Sequence, residues 1–325
     1  KFGRLAREIA RTKPIVAVKA GRTPTGERAA SSHTAALSSP DATVGALFRQ
    51  AGVIRVDSLE QLFDTAQVLA HQPLPAGRRV AIVSNGGGPA ILAADACDGF
   101  GLEVPELSEA LQGELRRFSS PAASVRNPVD LVASASAEHF DRALRTLLAS
   151  DEVDTVLAIF VPPLVTETDD VARAIVGAAD GSKPVVACFL GQEGVPEALQ
   201  SPDGRAVPSF AFPESAVRAL GRVADHAEWC RRDPGTVPEL DGVDVDAARA
   251  LVDAHLLAHP EGGWLDSGDA LALVQAFGVR TAPSRHVDDA EDAVAAARAL
   301  GLPVALKAAS GAIVHKTDVG AVRLG

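Results

Sequence analysis

Short apolar runs alternate with longer amphipathic stretches along most of the chain. The apolar runs are rich in β-branched residues and contain few polar ones, which predicts strands that are covered on both faces. They lie at residues 15–19, 80–84, 155–161, 185–190 and 303–307. The stretches between them carry helical patterns, for example at residues 58–70, 90–100, 137–149 and 168–179. This alternation predicts an α/β fold with parallel sheets and right-handed crossovers.

Turn-rich stretches at residues 71–77 and 233–242 interrupt the alternation and mark boundaries between units. A helix is predicted after the second boundary, around residues 246–259, and a further unit follows it. The predicted elements of that unit are a cap at Ser267, a helix ending at Phe277, a strand near residues 279–283, a helix at 288–300 and the strand at 303–307.

Four segments follow from these boundaries. Residues 1–76 are predicted to be the C-terminal part of an α/β domain, and residues 77–235 to be a complete one. A linker with a helix occupies residues 236–262, and residues 263–325 begin another domain. Because the chain contains no methionine and ends within a predicted strand, we expect it to be a fragment of a longer, fused protein.

The composition limits the possible functions. The 325 residues are 47% hydrophobic and 22% charged, as is ordinary for a globular protein. A net charge of −11 and an aromatic content of 4% argue against a nucleic-acid partner. Three widely spaced cysteines make neither a zinc site nor a disulfide framework, and no apolar run is long enough to span a membrane. We therefore expect a cytoplasmic protein without a membrane partner.

His33 is the first candidate for chemistry. It follows the predicted strand at residues 15–19 and a glycine-containing turn, and small residues surround it in the sequence. A neutral imidazole is available as a nucleophile near neutral pH, and it can carry a transferred group in a covalent intermediate. The spacing alone favours an ordinary polar loop histidine.

A second candidate is the glycine-rich turn after the strand at residues 80–84. Its residues are Ser84, Asn85, Gly86, Gly87 and Gly88, and Pro89 then begins a helix. The free N–H groups and dipole at a helix start form a site for an anion such as phosphate. The turn is neither a dinucleotide fingerprint nor a Walker loop, and a tight strand-to-helix turn without a ligand is the alternative.

Two further segments carry polar side chains. Asn127 is restrained by Pro128 to an extended conformation, and together with Asp130 it could brace a neighbouring loop by hydrogen bonds. Lys307 ends a predicted strand, where an ammonium group could meet a nucleotide phosphate, and His315 follows in the next loop. For each segment the pattern alone leaves a structural role or a simple polar loop open.

Taken together, the four segments make the chain similar to nucleoside-diphosphate-forming acyl-CoA synthetases, the family that includes ADP-forming acetyl-CoA synthetase and is related to succinyl-CoA synthetase. The resemblance covers nearly the whole chain. It rests on Lys19 to Arg22 with Ser32 to Thr34, on Ser84 to Gly88, on Asn127 to Asp130, and on Ile313 to Gly320, which occur in the family's order.

This resemblance implies a fold of flavodoxin-like, succinyl-CoA synthetase-like domains followed by the start of an ATP-grasp domain. It implies an ADP-forming acid–CoA ligase that interconverts acyl-CoA, ADP and phosphate with a free acid, CoA and ATP. His33 matches the histidine that is phosphorylated, and His315 matches a second histidine proposed to relay phosphate. Ser84 to Gly88 match a phosphate-binding helix start, Asn127 and Asp130 a structural support, and Lys307 a nucleotide-binding lysine.

The resemblance also sets what else is expected. The implied ligands are ATP or ADP, CoA, phosphate, a small-molecule acid and Mg²⁺, whose carboxylate ligands would lie beyond residue 325. The CoA-binding domain and a glutamate that supports the phosphohistidine would precede Phe2, so the segment alone is expected to be inactive. Relatives of this kind suggest a homo-oligomer. The sequence departs from the family at Ala35 and Ala321, where glycine is usual.

An alternative function belongs to another class of protein. Some protein lysine acetyltransferases carry a synthetase-like region that binds CoA or acyl-CoA in regulation, and these regions often lack the histidine. The presence of His33 argues against that interpretation. A third possibility is a binding module without catalysis, in which His33 is only a loop residue.

Overall fold

The computed structural model describes residues 2–23, 25–26, 28, 41–163, 167–191, 196–201, 204, 206–236, 240–309 and 317–324. His33 and His315 lie outside the described residues. The chain divides into two compact units, Lys1–Asp233 and Pro234–Gly325. None of the helices among the described residues is both long and apolar enough to cross a membrane.

The first unit contains most of the regular structure. Its helices are α1 (Phe2–Ile9), α2 (Asp41–Ala51), α3 (Leu59–His71), α4 (Gly87–Gly99), α5 (Glu109–Arg116), α6 (Ala137–Leu148), α7 (Thr168–Ala178) and α8 (Pro213–Arg231), with a 3₁₀ turn at Glu197–Leu199. Its strands are β1 (Ile15–Val18), β2 (Val53–Val56), β3 (Val80–Ser84), β4 (Val129–Asp130), β5 (Thr155–Phe160), β6 (Val185–Phe189) and β7 (Ser209–Phe210).

Five of these strands form a parallel sheet in the order β4-β3-β5-β6-β7. Counted from β3, this is the order 2-1-3-4-5 of flavodoxin-like folds. Every residue of β3, β5 and β6 is buried, because helices cover both faces of the sheet. One hydrophobic cluster lies under α5, α6 and α7, and the other lies under α4 and α8. The prediction of a parallel α/β sheet is confirmed.

A smaller layer precedes this sheet. Strands β1 and β2 pair in parallel, with Ile15 beside Val53 and Val18 beside Val56. Helix α8 joins this layer to the large sheet, since it packs against α3, and its Trp229 ring fills the space above Gly52. Two helical layers and two sheets therefore belong to one unit.

The second unit has little core of its own. It contains α9 (Val245–Ala258), α10 (Ser267–Ala276), α11 (Ala290–Leu300) and the antiparallel pair β8 (Ala305–Lys307) and β9 (Val322–Leu324). Among its described hydrophobic residues, only Ala248 and Ala296 are buried.

One predicted strand in this unit is wrong. Residues 279–283 form no strand, and Val279 is 53% exposed, because no neighbouring segment in the described part of the chain pairs with them. The helix predicted to start at a Ser267 cap is instead capped by Asp266, whose carboxylate accepts from Gly268 N and Asp269 N.

Candidate functional site

The glycine-rich turn lies where the order of the large sheet reverses. Strand β3 ends at Ser84, which pairs with Asp130 of β4 on one side and with Ile159 of β5 on the other. From β3 the chain crosses first to β4 and then to β5, so the turn stands at the topological switch point, at the carboxyl ends of the strands. Open α/β sheets bind their ligands in the crevice at this position.

The side chains of Ser84 and Asn85 are both bonded to the protein. Ser84 Oγ donates to Gly86 O at 2.8 Å and accepts from Gly86 N at 3.0 Å. Asn85 Nδ2 donates to Val161 O at 2.8 Å, and Asn85 Oδ1 accepts from Val161 N at 2.7 Å. Because both side chains are buried and hydrogen-bonded within the protein, the groups of this turn that can meet a ligand belong to the backbone.

Those backbone groups begin helix α4. Gly86 is the N-cap residue and has no side chain to accept a hydrogen bond from the first turn, so the N–H groups of Gly87, Gly88 and Ala90 have no capping side chain among the described residues. A Cβ placed on Gly88 would meet no atom within 4 Å, whereas one on Gly87 would lie 3.1 Å from Asp130 Oδ2. The turn thus presents N–H groups, the positive end of a 13-residue helix dipole and open space.

Asn127 and Asp130 lie on the other side of β3. Asn127 Oδ1 accepts from Ile82 N at 2.9 Å, and its Nδ2 donates to Val80 O at 2.7 Å, so the side chain hydrogen-bonds the backbone of β3. Asp130 Oδ1 accepts from Val132 N at 3.0 Å. The bond between Asn127 and Pro128 is cis. These contacts fix the loop from residue 124 to residue 132 against β3.

A charged cluster lies at the ends of the segment that contains His33. Asp41 begins α2, and its carboxylate accepts from Arg55 Nη2 at 2.6 Å and lies 3.6 Å from Lys19 Nζ. Lys19 Nζ also donates to Gly21 O at 3.3 Å. The hydrogen bond from Arg55 holds the pKa of Asp41 below its ordinary value. Lys19 therefore contacts residues on both sides of the segment from 22 to 40.

The structure brings only some of the predicted site residues together. Ser84 to Gly88 and Asp130 meet at the switch point, with Asn127 on the same strand. Lys307 lies at the end of β8 in the second unit and is exposed. The sequence did not indicate Val161, Arg55 or Asp41 as neighbours of these segments, because their contacts join residues far apart in the chain, up to 76 positions for Asn85 and Val161.

Other nucleophiles and metal ligands add nothing to this site. Burial raises the pKa of Cys97 to about 11 and that of Cys188 to about 12, so neither thiol ionises near neutral pH. Within the part of the chain that the structure describes, no three His, Cys, Asp or Glu side chains could hold a metal ion together.

Three family models match successive parts of the chain. Residues 1–69 match a succinyl-CoA ligase like flavodoxin domain, residues 80–234 match a ligase-CoA domain, and residues 257–325 match an ATP-grasp domain. The matched regions are separated by the stretches that the sequence predicts as boundaries.

Two curated proteins are similar over nearly all of the chain. The acetate–CoA ligase [ADP-forming] I of Archaeoglobus fulgidus is 37% identical over 100% of the chain and 46% of its own length. The 4-hydroxybutyrate–CoA ligase [ADP-forming] of Nitrosopumilus maritimus is 32% identical over 96% of the chain and 44% of its own length. The chain therefore spans about half the length of these relatives.

A solved structure is similar in sequence and in fold. Acetyl-coenzyme A synthetase 1 of Ca. Korarchaeum cryptofilum, in complex with phosphate and ADP, superposes with a TM-score of 0.65 at 30% identity. The match covers 70% of this chain and 50% of that one.

Proposed function

Because the chain belongs to the family of nucleoside-diphosphate-forming acyl-CoA synthetases, we propose that it is part of an ADP-forming acid–CoA ligase. The reaction interconverts acyl-CoA, ADP and phosphate with a free acid, CoA and ATP. The observation that carries the proposal is the similarity of the entire chain to an ADP-forming acetate–CoA ligase at 37% identity. The glycine-rich turn at the switch point supports it, since phosphate is a reactant.

The turn from Ser84 to Gly88 is the proposed phosphate site. Its N–H groups and the α4 dipole supply positive potential in a chain whose net charge is −11. Phosphate there attacks the acyl carbon of acyl-CoA, the C–S bond breaks, and CoA leaves as an acyl phosphate forms. Asn127 and Asp130 are the proposed supports of the turn, through the β3 contacts and through the position of Asp130 beside Gly87.

His33 is the proposed carrier of the phosphoryl group. Its ring nitrogen attacks the phosphorus of the acyl phosphate, the P–O bond to the acyl group breaks, and the free acid leaves. The phosphohistidine then gives the phosphoryl group to ADP, which yields ATP and regenerates the neutral imidazole. His315 is the proposed second histidine of this transfer, and Lys307 the proposed nucleotide-binding residue.

The nucleotide reaction also calls for Mg²⁺ in the proposed enzyme. The residues that the structure describes contain no group of side chains suited to hold the ion, so no step is assigned to it here. We further propose the division into residues 1–76, 77–235, 236–262 and 263–325, with the first two as succinyl-CoA synthetase-like domains and the last as the start of the ATP-grasp domain. A cytoplasmic homo-oligomer remains the expected form.

The comparisons do not favour the regulatory alternative. The relatives described above are named as ligases or synthetases, and the similarity extends into the ATP-grasp match at residues 257–325. A region that only binds acyl-CoA has no use for a nucleotide domain.

Labelling with γ-³²P-ATP and Mg²⁺ tests the carrier role in the complete protein. We expect wild type to acquire label that is stable to base and lost in acid, as a phosphohistidine is, and His33→Asn to acquire none. His71→Asn, at an exposed position in the last turn of α3, is the matched control and should label like wild type. An unlabelled wild type, or equal label in His33→Asn, would contradict the proposal.

A further inference from the structure

Asn85 sits where the main chain leaves the sheet. Strand β3 ends one residue earlier, and helix α4 begins two residues later, so the chain must turn sharply between them. The side chain of Asn85 is 3% exposed, and both of its polar atoms bond the backbone of the same residue, Val161. Val161 directly follows the last residue of β5.

A carboxamide has the same donor and acceptor as a peptide group. The Asn85 side chain therefore occupies the place that the next peptide of β3 would take beside β5, and the ladder continues through the side chain. This releases the main chain of Gly86 to Gly88 from the sheet without leaving the N–H and C=O of Val161 unpaired. We call these two hydrogen bonds the carboxamide clamp.

Contacts on the other sides complete the placement of the turn. The Ser84 hydroxyl closes on both backbone groups of Gly86, and Ser84 O accepts from Leu131 N at 2.7 Å. A Cβ on Gly86 would lie 3.1 Å from Val161 Cγ2, so the turn already lies tightly against β5. The position of the first N–H groups of α4 is thus defined relative to Val161.

We propose that Asn85 is a positioning residue: it sets the phosphate-binding N–H groups of the turn through Val161 and does not bind the ligand itself. This inference rests on the proposed function. It assigns to Val161, which has no reactive group, an indirect part in phosphate binding, and it predicts that the clamp can be broken without any change of charge at the site.

Calorimetric titration of the complete protein with inorganic phosphate tests the clamp. Asn85→Leu removes both hydrogen bonds at nearly constant volume and should weaken phosphate binding about tenfold, because the unpaired Val161 groups force the turn to move. The matched control is Gln72→Met. Gln72 also bonds two backbone groups of the sheet, accepting from Val185 N at 2.8 Å and donating to Ala206 O at 2.7 Å, but at the amino ends of the strands. This control should lose stability and keep phosphate affinity.

A second pair of variants reaches the same junction without touching Asn85. Gly86→Ala should weaken phosphate binding, because its methyl group crowds Val161 Cγ2. Adding Val161→Ala removes that atom and should restore the affinity, whereas a methyl group that simply blocked phosphate would not be relieved by it. This pair decides the matter if Asn85→Leu does not fold.

The results separate the two levels of the proposal. A wild type that binds no phosphate contradicts the proposed function, and the role of the clamp with it. If wild type binds phosphate, the clamp alone is contradicted by unchanged affinity in Asn85→Leu or Gly86→Ala, by an equal loss in Gln72→Met, or by failure of Val161→Ala to restore Gly86→Ala.

Discussion

At the scale of single residues, the most extensively bonded ion pair of the first unit joins the strands at their amino ends. Asp154 is 5% exposed and accepts from Arg79 N at 3.0 Å, Arg79 Nε at 3.0 Å and Arg79 Nη2 at 2.8 Å. Gly77 lies against it, since a Cβ there would stand 2.4 Å from Asp154 Oδ2. Burial opposes ionisation of Asp154, but the hydrogen bonds from Arg79 outweigh it, and the pKa of Asp154 lies below its ordinary value.

Asp154→Asn should therefore lower the free energy of unfolding by about 1–3 kcal/mol at neutral pH. A carboxylate with a lowered folded-state pKa stabilises the fold fully above its unfolded value, about 3.9. That contribution disappears as the pH falls through the lower folded-state value, so the difference between variant and wild type should shrink below about pH 4. Urea unfolding at several pH values measures it.

The exposed pair of Asp141 and Arg145 on α6 provides the control. Asp141→Asn should cost only about 0.5 kcal/mol, because the pair is solvated. An Asp154→Asn cost as small as this, or one that does not change with pH, would contradict the assignment to the buried pair.

At the scale of secondary-structure elements, α8 connects the two layers of the first unit. Arg222 Nη2 donates to Gln61 Oε1 of α3 at 2.7 Å, and burial lowers the pKa of Arg222. Near the end of the helix, Arg11 lies 5.1 Å from the centre of the Trp229 ring and donates to Cys230 O at 3.0 Å. Trp229 covers Gly52, whose φ of +72° places it in the left-handed region.

Gly52→Ala should destabilise the first unit by about 3–4 kcal/mol, from the unfavourable φ and from overpacking. A Cβ at this position would lie 2.4 Å from the Trp229 ring, and neither the ring nor the backbone has room to move. The measurement is the free energy of unfolding in urea.

Gly181→Ala separates the two causes. Gly181 has a φ of +81° but no atom within 4 Å of its added Cβ, so its substitution carries only the backbone cost of about 1–2 kcal/mol. If both variants lose the same stability, the Trp229 contact contributes nothing and α8 does not lock the layers at this point.

At the scale of the whole molecule, the two units differ in how much they bury. The first contains two large hydrophobic clusters around a five-stranded sheet. The second buries only Ala248 and Ala296 among its described hydrophobic residues, and it leaves side chains such as Leu257 and Trp264 exposed. Helices with no buried face draw little stability from packing, because most helical stability in proteins comes from tertiary contacts.

Hydrogen exchange of the chain from residue 1 to residue 325 should show this contrast. Amides of β3, β5 and β6 should exchange only through global unfolding, whereas those of α9, α10 and α11 should exchange orders of magnitude faster through local opening. Mass spectrometry of peptides from the two units gives both rates in one experiment. Equal protection would show that the second unit is stabilised by contacts other than the burial described here.

The sequence predicts the sheet well for a physical reason. Strands β3, β5 and β6 are continuous apolar runs because they are covered on both faces, and such runs are visible locally. Strands β4 and β7 have two residues each and depend on partners, so the sequence gave no sign of them. The same holds at the site: the turn was evident from its glycines, but the partner of Asn85 lies 76 positions away. His33 rests on a family resemblance, and its carrier role stays a prediction.

The clamp has a further consequence for the chemical lifetime of the protein. Asparagine followed by glycine is the sequence most prone to deamidation, in which the glycine nitrogen attacks the side-chain carbonyl, ammonia leaves, and water opens the resulting imide to aspartate or isoaspartate. Here the Asn85 amide is bonded to Val161, and Gly86 N is bonded to Ser84 Oγ, so both reacting groups are restrained. The folded protein thereby protects a bond that its unfolded chain would lose, and the fraction of deamidated Asn85 in an aged sample records how often the turn has opened.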